Sequence, residues 1–88
     1  MIKEESFEIG RLRGVTIFFE EAMDELPVHS HPEGLAHITM VRRGKVMIVR
    51  PNQPDEIIHP GTLKLFKPHE LHGYVALEAK SKITNIIY

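Results

Sequence analysis

Apolar and polar positions alternate in six short runs along the chain, at 14–21, 34–41, 45–50, 62–66, 73–78 and 82–88. A period of two marks a strand that buries one face, and β-branched and aromatic residues are concentrated in these runs. Turn formers, among them Pro27, Pro32, Gly34, Pro51, Pro54 and Gly61, fall at or between their ends. No stretch carries a 3.6-residue period with caps. The pattern predicts an all-β protein, a sandwich or small barrel in which closure hides the strand edges. It also predicts two hairpins, a tight one at Arg42-Arg43-Gly44-Lys45 and a wider one around Pro51 to Asp55.

Composition narrows this picture. At 88 residues the chain is a single domain, 1–88, with the barrel core expected at about 14–88. A formal net charge of −1 gives no electrostatic footprint for nucleic acid or an anionic membrane surface. No apolar run reaches the length of a spanning helix, and the opening residues are acidic where a signal peptide is basic and then apolar, so a cytoplasmic protein is expected. Cysteine is absent, which excludes disulfides and thiolate metal ligands. A core this small favours a homodimer.

The chemistry-bearing residues are histidines. His29 and His31 stand two apart in VHSHPEGLAH, and i and i+2 of a strand face the same way. His37 opens the next strand after a loop containing Pro32 and Gly34, and His72 opens another far along the chain. Imidazole suits zinc, copper, iron and nickel, and a carboxylate in the set admits manganese. Glu33 is the nearby carboxylate. His59 and His69, beside prolines in turns, read as solvated, as does the basic tip of Arg42, Arg43 and Lys45. Thr39 and Tyr74 share the parity of His37 and His72 and are expected in the same interior.

Beyond these residues the chain resembles the cupin superfamily, small jelly-roll β-barrels with motifs G-x5-H-x-H-x(3,4)-E-x6-G and G-x5-P-x-G-x2-H-x3-N. His29, Ser30 and His31 fill H-x-H, His37 falls at the Glu position, and Gly44 is the closing glycine. In the second motif Gly61 is the opening glycine, and Lys67 and His69 replace Pro and Gly. His72 fills its ligand position. Met23 replaces the first glycine, Ala76 the final Asn, and five residues separate His31 from His37.

The resemblance implies a cupin-type jelly-roll barrel with a four-histidine metal site of His29, His31, His37 and His72. Glu33 is the alternative to His37 as third ligand. It implies a divalent transition metal, Fe, Mn, Ni or Zn, left with a net charge of about +2 by neutral ligands and open to a small oxygenated or anionic molecule. The expected function is a metal-dependent enzyme of dioxygenase or isomerase/lyase type, for which Glu33 and Tyr74 are the candidate proton-transfer residues. The alternative is a non-catalytic small-molecule-binding or sensor cupin in which any metal is structural.

Overall fold

The computed structural model describes residues 1–29, 37–67 and 70–87. His31, Glu33 and His69 lie outside the described residues. Among those described are nine strands: β1 (Ile2–Ile9), β2 (Leu12–Phe19), β3 (Glu25–His29), β4 (His37–Arg43), β5 (Val46–Val49), β6 (Glu56–Ile58), β7 (Leu63–Phe66), β8 (His72–Ala76) and β9 (Ser81–Ile87). They form a five-stranded sheet ordered β1-β2-β9-β4-β7 and a four-stranded sheet ordered β3-β8-β5-β6, with antiparallel pairing throughout. The architecture is the expected all-β jelly-roll sandwich. No helix among the described residues is long and apolar enough to cross a membrane.

Alternation builds the core. Ile17 and Phe19 of β2, Val41 of β4, Val46 and Ile48 of β5, and Tyr74 and Ala76 of β8 are buried on the facing sides of the two sheets, with Ile58, Phe66 and Ile83 completing the cluster. Every second residue of these strands turns outward, so one period both forms the strand and fills the core. Leu63 and Leu65 of the edge strand β7 face the other way and stay exposed.

Three features depart from the sequence pattern. Strand β1 precedes the apolar run that begins at residue 14 and pairs along its whole length with β2. Six of its eight residues are exposed and four are charged, as suits an edge strand that must resist pairing with other chains, so apolar alternation could not reveal it. The segments at β3 and β6 are too short and too closely flanked by proline to show a period.

Finally, Arg42 to Lys45 is not a hairpin: β4 pairs with β7 and β9, whereas β5 pairs with β6 and β8. The turn carries the chain from one sheet to the other. Gly44 makes it with φ +83°, and a Cβ there would overlap Ser81. The loop after β5 does join a hairpin, β5 with β6.

Candidate functional site

Two register pairs meet at one end of the sandwich. In the four-stranded sheet His29, the last residue of β3, lies opposite His72, the first of β8. In the five-stranded sheet His37, the first of β4, lies opposite Phe66, the last of β7. The His72 ring centroid is 4.8 Å from that of His29 and 4.8 Å from that of His37. Phe66 stacks on His72 at 4.2 Å with an interplanar angle of 18°, which fixes its ring plane. His37 and His72 are 3% and 1% exposed, so both imidazoles leave water and must be held by specific contacts.

His29 reaches this cluster through a β-bulge. Leu26 pairs with Tyr74, yet His29 rather than Val28 pairs with His72, so β3 spends three steps where β8 spends two. One inserted residue reverses which side chains face inward. Pro27 has no N–H to give the ladder, which makes it a natural place for the slip. Gly73 makes room on the partner strand: a Cβ there would lie 2.9 Å from both the Leu26 carbonyl oxygen and the Val28 nitrogen.

Hydrogen bonds set the tautomers. Nδ1 of His29 lies 2.8 Å from the Pro27 carbonyl and Nδ1 of His72 lies 2.9 Å from the Glu70 carbonyl. A carbonyl only accepts, so both Nδ1 atoms donate and, in the neutral rings, both Nε2 atoms carry the lone pair. Metal-binding histidines are commonly oriented by such a bond at the other ring nitrogen.

His37 is held differently. Thr39 Oγ1 donates to Asn85 Oδ1 at 2.7 Å, which uses its single proton. The Tyr74 hydroxyl at 2.6 Å and His37 Nε2 at 3.4 Å therefore donate to Thr39, and the lone pair of His37 falls on Nδ1. Burial pushes the Tyr74 phenol well above its ordinary range, and a hydroxyl that donates to Thr39 is held in its protonated form. Tyr74 is thus a neutral donor at ordinary pH.

Beside this end lies a cavity of about 360 Å³. Val15, Ile17, Leu26 and Val28 wall it, His29 and Asn85 supply polar groups, and Glu4 of β1 stands at its side. The volume is at the lower end of small-molecule sites.

The structure thus brings His29, His37 and His72 together, with Thr39 and Tyr74 in the same interior, and leaves His59 exposed after β6. Among the described residues no group of three or more His, Cys, Asp or Glu side chains is already gathered at metal-holding positions. The donor chemistry of the three rings nonetheless fits a divalent ion, since neutral imidazoles with one nitrogen anchored are suitable ligands.

Asn85 escaped the sequence reading. Its signal was a polar residue at the inward parity of an otherwise apolar run, two positions after the core residue Ile83.

No protein-family model and no curated protein matches the sequence. Solved structures match its fold. KdgF from Halomonas sp. superposes with a TM-score of 0.83 over 97% of this chain and 76% of its own, at 22% identity. An RmlC-like cupin protein from Desulfovibrio desulfuricans gives 0.83 over 98% of this chain and 81% of its own, also at 22% identity. The DMSP lyase DddQ from Ruegeria pomeroyi gives 0.81 over 98% of this chain and 46% of its own, at 14% identity.

Proposed function

The chain has the cupin fold, and from that premise we propose that its histidine end binds a divalent transition metal and that the protein is a metal-dependent enzyme acting on a small oxygenated molecule. One observation carries the reading: the anchoring of His29 and His72 through Nδ1 to backbone carbonyls, with His37 4.8 Å from His72. In this proposal His29, His37 and His72 hold the metal and His31 completes the set. Glu33 is the alternative third ligand. When bound, the ion supplies Lewis-acid or redox chemistry at open coordination positions; Fe, Mn, Ni and Zn are all compatible with such donors.

The chain's own residues orient and exclude. Phe66 packs against His72 and keeps water from its face. Thr39, buried and bonded to three partners, holds His37 in one tautomer. Tyr74 serves as a proton donor inside this network. The apolar cavity beside His29 receives the substrate. The presence of a lyase among proteins of the same fold supports the isomerase/lyase type of reaction; a dioxygenase is the other type a redox-active metal at this site would serve.

A non-catalytic ligand-binding or sensor role is the second reading. Tyr74 favours it, because a neutral phenol sealed in the core is ill suited to act as a base. The domain 1–88 is further proposed to be cytoplasmic and to work as a homodimer, with no nucleic-acid or membrane partner. Leu63 and Leu65, 66% and 61% exposed on one edge strand, supply apolar surface for a second copy.

Metal analysis of the purified chain, followed by oxygen-uptake and isomerisation assays on a panel of small carbonyl compounds, tests the function. Stoichiometric metal with turnover establishes the enzyme. Metal or ligand binding without turnover on the panel favours the second reading, and absence of metal refutes the metal centre.

A further inference from the structure

Asn85 occupies a position the histidine cluster does not explain. It is 2% exposed, it pairs in register with Thr39 on one side and Val15 on the other, and it lines the cavity that His29 also lines. Its Oδ1 is committed to the Thr39 hydroxyl at 2.7 Å. With Oδ1 already accepting from Thr39, the Nδ2 donor is the group it can offer an acceptor in the cavity. A buried amide that uses its oxygen inside the protein while lining an apolar cavity has an N–H group that can serve as a directional anchor for an oxygen atom.

Charge narrows the ligand further. Among the described lining residues no lysine or arginine appears, and the one carboxylate is Glu4. It projects from β1 opposite Ile17, on the inward side of the sheet. An acid at this position repels an anion entering between β1 and β3, whereas an uncharged molecule pays no such penalty.

We propose that Asn85 is a ligand-anchoring residue, and that the cavity takes a small uncharged molecule with an apolar body and a hydrogen-bond-accepting oxygen directed at the Asn85 amide. This rests on the proposed function only in setting that oxygen beside His29. It refines the ligand class from oxygenated or anionic to oxygenated and neutral, because the cavity itself selects against the anion.

The experiment is an NMR titration of the full chain with pentan-2-one and with pentanoate, which share an apolar chain and differ in charge. It is run on zinc-treated and on chelator-treated protein, with metal content measured on the same samples. On chelator-treated protein, pentan-2-one is expected to shift the Asn85 side-chain amide and the Val15 and Leu26 methyl resonances, and to bind at least fivefold more tightly than pentanoate. Asn85→Asp keeps an acceptor for Thr39 but loses the donor, and should weaken pentan-2-one about fivefold, the worth of one hydrogen bond.

Glu4→Gln, an exposed change, should narrow the gap between the two probes. Where Asn85→Asp fails to fold, Val15→Phe fills the cavity from its apolar wall and should abolish both titrations. Equal binding of pentan-2-one to wild type and Asn85→Asp overturns the proposal, as does preference for pentanoate or binding that survives Val15→Phe. Failure of zinc to bind, with the pentan-2-one results intact, refutes the metal centre and leaves the anchor standing.

Discussion

The imidazoles of His37 and His72 project from opposite sheets and meet with their ring centroids 4.8 Å apart. Their approach depends on two strands beginning at the same end of the sandwich, each with its first residue turned inward. His29 joins them only because β3 bulges, and the bulge depends on the bare backbone of Gly73.

Gly73→Ala is therefore predicted to act at a distance on the site. The added methyl meets backbone atoms of Leu26 and Val28, which cannot swing aside as a side chain tip would. The expected cost is about 1–3 kcal/mol, typical of overpacking, with a 10–100-fold loss of metal affinity as His29 shifts. Denaturant melts and zinc titration of the variant measure both. Unchanged affinity would show that the bulge does not position His29.

Tyr74 predicts an alkaline transition. Burial raises the phenol above its ordinary value of 10.0 in the fold, so its contribution to stability is complete below about pH 10. It is lost as pH rises further, because the unfolded chain releases the proton first. Ultraviolet titration should show the Tyr74 phenolate appearing only together with loss of the fold. Tyr74→Phe should remove that component at a cost near neutrality of about 1 kcal/mol for the lost bond to Thr39. A Tyr74 that titrates in the intact fold near pH 10 would contradict the buried network.

Much of this arrangement was legible in the sequence. Alternation located six of the strands, and the inward parity of Thr39 with His37 and of Tyr74 with His72 followed from the period of two. The bulge was not legible, because period two assumes an uninterrupted ladder and the slip at Pro27-Val28 reverses which residues face inward. The sheet change at Gly44 was hidden for a related reason: a glycine turn between two apolar runs has the same local pattern whether the runs pair with each other or with others. Asn85 was visible as a polar residue at a core parity, but only the fold shows that Thr39 occupies its acceptor.

Met23 sits in the left-handed region with φ 72°, at a position where the cupin motif carries glycine, and its side chain is 69% exposed. That conformation costs an L residue about 1–2 kcal/mol. Met23→Gly recovers this and gives part back as unfolded-chain entropy, a net gain of about 0.5–1 kcal/mol. A rise of a few degrees in melting temperature is expected. Met23→Val, β-branched, should lower it, and the opposite order of the two variants would refute the assignment of strain.

Glu56 gives a smaller effect on the acid side. Lys64 Nζ at 2.8 Å lowers its carboxyl below the ordinary value of 4.5, with Arg50 adding to the effect and partial burial opposing it. The stabilisation is present above that value and lost as pH falls through the depressed one. Because the pair is partly exposed, Lys64→Ala should cost under about 1 kcal/mol at neutral pH and flatten the acid limb of a pH-stability curve. An unaltered acid limb would show that the pair contributes nothing.

Metal binding at the histidine end is decided by metal content per chain, measured by plasma mass spectrometry on protein without a histidine tag. About one equivalent is predicted in wild type and in His59→Ala, and little in His72→Ala, which removes a ligand that the neighbouring residues cannot replace. Equal metal in wild type and His72→Ala, or none in either, would contradict it.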